Sequence, residues 1–135
     1  MRKIISAVLL CIMLFTFTAC EKGKIADVKV NKVKSEIYSQ KDIDEAINTT
    51  LKYFKKNFKG CTLTEIDYIG DDKIDEFKEW QKTYDKDEVI ILISSFNVDS
   101  SGGDGSLNPN STYTRWQWIL ARDENQNWKH MDHGY

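Results

Sequence analysis

The spacing of apolar positions changes several times along the chain, and each change marks an element. Ile43, Ile47, Leu51, Phe54 and Phe58 recur every three to four residues, flanked by Ala46 and Thr50. That spacing predicts an amphipathic helix opening near Ser39 and stopping by Gly60. Ser39 suits the N-cap, and Asp42 the third helical position that reaches back to it. The opposite face is polar, so the helix is expected to cover a sheet. Residues 61–69 are rich in Thr, Ile and Tyr and predict a strand. Gly70-Asp71-Asp72 breaks it, with Asp71 or Asp72 as the cap of a shorter helix over 73–83. The apolar side of that helix is Ile74, Phe77, Trp80 or Gln81, and Tyr84.

From residue 88 the pattern becomes that of strands. Residues 89–93 are apolar at every position, so both faces of this central strand are expected to be covered. Residues 113–122 predict the next strand, with Trp116, Trp118 and Leu120 on one face and Arg115, Gln117, Ile119 and Ala121 on the other. The polar run 123–127 is a turn, and residues 128–133 return to close an antiparallel hairpin. Trp116, Trp118 and Trp128 read first as core, with a partly open apolar pocket as the alternative.

The N-terminus has a different character. Arg2 and Lys3 precede an apolar run from Ile4 to Phe17, interrupted by Ser6 and Thr16, and small residues Thr18 and Ala19 lead to Cys20. This is the three-part layout of a secretory signal. Phe17-Thr18-Ala19-Cys20 resembles the lipobox of bacterial lipoproteins, with Phe17 where a leucine or smaller aliphatic residue is usual. The resemblance implies a diacylglyceryl group on the Cys20 thiol and cleavage that leaves Cys20 as the mature N-terminus. Residues 4–19 would span about 24 Å as a helix, short of the roughly 20 residues a membrane span needs. Plain secretion and a retained helix are the alternatives. The expected organisation is a signal peptide over 1–19, a lipidated N-terminus and polar tether over 20–38, and a single α+β domain over 39–135. Val28, Val30 and Val33 offer a short edge strand within that tether. The location implied is the outer face of the bacterial cytoplasmic membrane, with membrane lipid as partner through Cys20.

Without residues 1–20 the chain keeps 17 of its 19 Lys+Arg against 21 Asp+Glu, a net charge of −4. That balance offers no broad electrostatic reason for nucleic-acid binding. Cys11 would leave with the signal, so Cys61 becomes a lone thiol and stability must come from packing rather than disulfides. Cys61 reads as a core or strand-edge residue. Lys52, Lys55, Lys56 and Lys59 gather late in the first helix, where positive charge is favourable. They read as a solvated helix end, with an anionic lipid head or polymer as the alternative.

Catalytic motifs are missing: there is no serine elbow, HExxH helix, Walker loop or cysteine cluster. The loop over 99–112 carries Asp99, Asp104, Asn108 and Asn110, oxygen ligands of the kind calcium takes, but not in EF-hand order. A structural hairpin loop is the first reading, and a binding surface or a calcium site the alternatives. His130 and His133, three apart on a strand, are expected to point to opposite faces and make a poor metal pair. No catalytic, cofactor-binding or metal residue is assigned, and no cofactor is expected.

The run GGDGSLNPNSTYTRWQWILARDENQNWKHMDHGY resembles the ending of a family of small uncharacterised lipoproteins from Gram-positive bacteria, a domain of unknown function. The shared features are the loop at Gly102 to Gly105, Asn110 to Tyr113, Trp116 and Trp118, Trp128, and the terminal Gly134-Tyr135. The resemblance covers roughly residues 40–135. It implies a cystatin-like, nuclear transport factor 2-like cone, with N-terminal helices packed on a curved antiparallel sheet. It implies no agreed activity. The expected function is therefore a noncatalytic domain binding a small apolar ligand, a peptide or an envelope component. The alternative is a small hydrolase or isomerase with His130 and a carboxylate as acid–base residues in the sheet concavity.

Overall fold

The computed structural model describes residues 23–135; the signal segment, Cys11 and Cys20 lie outside the described residues. The chain forms helix α1 (Gln40–Asn57), strand β1 (Cys61–Tyr68), a single 3-10 turn (Asp71–Lys73) and helix α2 (Ile74–Tyr84). Strands β2 (Glu88–Val98), β3 (Thr112–Arg122) and β4 (Lys129–Gly134) follow. A reciprocal capping box starts α1: the Asp42 backbone N–H donates to the Ser39 hydroxyl, and the Ser39 N–H donates to the Asp42 carboxylate. After α1, Gly60 adopts φ of +73°, a conformation that suits glycine, and turns the chain into β1.

The strands form one antiparallel sheet in the order β1-β2-β3-β4, each beside its neighbour in sequence. Directly opposed residues share a face. Leu92 opposes Tyr68 and Trp118, and their face also carries Leu63, Ile66, Ile90, Phe96 and Leu120. Helix α1 packs there, with the Phe54 ring 5.9 Å from Phe96 and 6.2 Å from Trp118. The other face carries Val89, Ile91, Ile119 and Ala121, all buried, and α2 packs against β2 to cover them.

This arrangement corrects the expected cone. The sheet is open and four-stranded, and it has one helix on each face rather than N-terminal helices gathered on a single curved surface. The run 89–92 explains why. Ile90 and Leu92 point to α1 while Val89 and Ile91 point away from it, and all four are fully buried. Two opposite faces therefore need cover, and α2, inserted between β1 and β2, supplies the second. The concave face of a cone is here filled by α1.

Residues 23–38 do not hang free of the domain. Lys24 and Lys29 form parallel bridges with Thr62 and Glu65, and Ile25, Val28 and Val33 pack against the core. Asn31 donates from its backbone to Asp67 at 2.6 Å and from its side chain to Glu65 at 2.6 Å. Asp71 accepts from the Ser35 hydroxyl and the Glu36 N–H, both at 2.6 Å, and from the Tyr68 hydroxyl at 2.7 Å. It fastens this strap rather than capping α2, as its sequence position suggests. The strap pairs the outer edge of β1, which would otherwise present open backbone groups. The stretch expected to be a tether is thus bound to the domain from Gly23 onward.

Three strands each hold one residue more than their partner: Thr64 in β1, one of Thr114 and Arg115 in β3, and Met131 in β4. Arg115 takes φ of +58° at its bulge. An extra residue reverses the phase of a strand, so residues three apart come to share a face. Leu63 and Ile66, Tyr113 and Trp116, and His130 and His133 are the three pairs so aligned.

Candidate functional site

The bulges in β3 and β4 bring aromatic and imidazole rings together under the C-terminal end of α1. Tyr53 stacks on His130 with centroids 3.7 Å apart and planes 12° from parallel. His130 Nε2 lies 3.0 Å from His133 Nδ1, a ring-to-ring hydrogen bond. His133 meets Phe58 edge-on at 5.2 Å and lies against Trp116 at 5.8 Å. The expectation that the histidines face opposite ways fails because Met131 is an extra residue between them.

Behind these rings Trp118 is fully buried and donates from Nε1 to the Ser94 hydroxyl at 2.7 Å. That hydroxyl donates on to the Trp116 carbonyl at 3.2 Å. Trp116 Nε1 is buried with no hydrogen-bond partner among the described residues. A cleft of about 320 Å³ opens beside the cluster, lined by Tyr53 and Asn57 of α1, Phe58 at its C-cap, Trp116 and His133 of the sheet, and Gly103, Asp104 and Leu107 of the loop after β2. Lys59, Cys61 and Ser106 complete its lining. Gly103 has φ of +70°, and a Cβ there would come within 3.2 Å of Leu107 and 3.3 Å of the Lys59 carbonyl. Glycine lets the loop approach α1 closely enough to form this wall.

Burial, and then the neighbouring His133, lower the His130 pKa to about 4 against the opposing pull of Asp132. Burial lowers His133 as well, again opposed by Asp132. Both rings are therefore neutral at neutral pH, so that one donates and the other accepts in their shared bond. Burial pushes the Cys61 thiol up to about 11, with Asp99 and Asp104 adding to the rise. It stays a protonated thiol rather than an attacking thiolate.

The loop carboxylates considered as calcium ligands are engaged locally. Asp99 accepts from the Ser101 N–H at 2.9 Å and from its hydroxyl, and Asp104 accepts from the Ser106 N–H at 3.0 Å. Among the described residues no group of three His, Cys, Asp or Glu side chains could hold a metal.

The three tryptophans, read first as core and alternatively as the lining of one pocket, divide. Trp116 lines the cleft, and Trp118 is core. Trp128 sits at the other end of α1, where its Nε1 donates to the Asp42 carbonyl at 3.0 Å. There the Arg122 guanidinium lies 4.0 Å over the Trp128 ring and 3.0 Å from the Asp42 carboxylate. Tyr53, Asn57 and Leu107 were not singled out as site residues from sequence. Tyr53 is adjacent to the Phe54 core stripe, and that flanking position is the signal it offered. No family model, curated protein or solved structure matches the chain.

Proposed function

We propose that this chain is a membrane-anchored extracytoplasmic lipoprotein, acylated at Cys20, whose domain is a noncatalytic binding module. The tract Phe17-Thr18-Ala19-Cys20 supports the anchor and is in keeping with the resemblance to small lipoproteins of Gram-positive bacteria. The observation that carries the binding reading is the cleft of about 320 Å³ walled by Tyr53, Phe58, Leu107, Trp116 and His133. Its volume falls at the small end of ligand pockets, and its aromatic wall faces polar groups from Asn57, Lys59, Asp104 and Ser106 that could orient a ligand. The occupant it suits is a small apolar or aromatic molecule, or one such side chain of a peptide or envelope component. A ligand oxygen reaching Trp116 Nε1 would relieve a buried donor that is otherwise unpaired.

The hydrolase or isomerase reading finds less support. The ring facing His130 is a second imidazole, and a base with a pKa of about 4 is weak at neutral pH. The binding reading is tested by titrating the protein with small aromatic fragments such as 2-naphthol and following tryptophan fluorescence. Saturable binding that is lost in Leu107→Trp, which fills the cleft from the loop side, supports it. Equal binding by both proteins, or binding by neither, contradicts it.

A further inference from the structure

We propose that the end of the domain bearing Gly23 lies against the membrane, where Lys24, Lys52, Lys56 and Lys59 engage anionic phospholipid headgroups; this rests on the acylation of Cys20 proposed above. The first support is the length of chain between anchor and domain. The Gly23 N–H donates to the Lys55 carbonyl at 2.9 Å, in the last turn of α1. Gly23 is buried there, and a Cβ on it would fall 2.4 Å from the Phe54 carbonyl oxygen, so the close seat depends on glycine. Cys20 precedes Gly23 by three residues. Fully extended, that interval reaches about 11 Å at most, close to the screening length of roughly 8–10 Å in physiological salt. While Gly23 is docked, an anchored domain keeps the end of α1 within reach of the headgroup potential.

The second support is the charge at that end. Lys24, Lys52, Lys56 and Lys59 are all exposed, and Lys52 and Lys56 stand one helical turn apart. Ser101 hydrogen bonds hold the Asp99 carboxyl below the usual range, and Lys24 and Lys59 lower it further, which puts both ammonium groups beside the same loop. Asp99 and Asp104 are the acidic groups facing them, and each is engaged by a neighbouring serine. Four lysines against two carboxylates make this end basic, although the chain beyond residue 20 carries −4 overall. The far end lies about 33 Å away along β2, and there Asp42, Glu88 and Asp123 pair with Arg122 and Lys86 while Glu124 adds a further carboxylate, so it carries no surplus of cations. An uneven charge distribution of this kind orients a protein on an anionic surface.

The test uses the lipidated protein reconstituted in vesicles of phosphatidylglycerol and phosphatidylcholine, or of phosphatidylcholine alone. Amine-reactive labelling is read lysine by lysine by mass spectrometry. Lys24, Lys56 and Lys59 should label about threefold or more slowly in the anionic vesicles, with the difference erased by about 0.5 M salt. Lys41 and Lys82, at the far end, should be unchanged. Equal labelling in both vesicles, or equal protection of Lys82, overturns the proposal. The exposed triple substitution Lys24→Gln, Lys56→Gln and Lys59→Gln should remove any difference at Lys52, and persistence of that difference also overturns it. Intact mass reads acylation separately. Unacylated Cys20 defeats the anchor and this proposal together, whereas acylated protein with unprotected lysines defeats this proposal alone.

Discussion

His130 Nε2 and His133 Nδ1 meet at 3.0 Å although three residues separate them on one strand. A regular strand would send them to opposite faces. The extra residue Met131 reverses the phase, and Tyr53 stacked on His130 holds the pair against α1. His133 of the pair lines the cleft, and the two rings together set the expected response to pH.

Folding lowers the pKa of His130 from 6.5 to about 4 and lowers that of His133, chiefly by burial. The unfolded chain therefore binds more protons than the folded one between about pH 6.5 and pH 4. Stability contributed by the neutral pair is present above pH 6.5 and is lost as pH falls toward 4. Thermal unfolding should show the melting temperature falling through this window. The fall should be shallower in His130→Gln, and an identical slope in that variant would count against the buried neutral pair.

Ser94→Ala removes the acceptor of the fully buried Trp118 Nε1. An unpaired buried donor costs about 1–3 kcal/mol. Urea unfolding should show a lower midpoint at unchanged slope. An unaltered midpoint would mean that Trp118 does not depend on this bond.

Arg122 ties three elements at the other end of α1, pairing with Asp42 and Glu88 while lying over Trp128. Its side chain is 11% exposed, but its partners are 29% and 36% exposed, so solvent weakens the pairs. Arg122→Lys keeps the charge and loses the planar fork, and it should destabilise the domain by about 1 kcal/mol. Chemical denaturation measures this, and a wild-type midpoint in the lysine variant would contradict the bridging role of the guanidinium.

Cys61 is buried, with its thiol pKa raised to about 11. Maleimide should label it slowly at pH 7.5 in folded protein and quickly in denaturant. Rapid labelling of folded protein would reveal an accessible thiolate and reopen a nucleophilic role.

The helices and strands were legible because their signals are local. The stripe from Ile43 to Phe58 and the Ser39–Asp42 cap define α1 without reference to anything distant. The apolar run 89–93 announced cover on two faces. What it left open was how the cover is distributed, and the cone places the helices where β2 does not allow them. The cleft was harder to read for a specific reason. Alternation was used to assign faces, and a bulge breaks alternation within one residue. The i, i+3 pairs Leu63/Ile66 and Tyr113/Trp116 were the visible trace of that break. Applied to His130/His133, the same trace would have put both rings on the core face. Leu107 and Gly103 reach the cleft only through the folded loop, which no local pattern describes.

The account centres on the cleft beside the histidine pair, and imidazole NMR of the protein during titration with 2-naphthol tests it most directly. It predicts two neutral imidazoles at pH 7, with His133 resonances shifting in proportion to saturable binding. A charged pair at pH 7, or His133 resonances that stay still while the fragment binds, would contradict it.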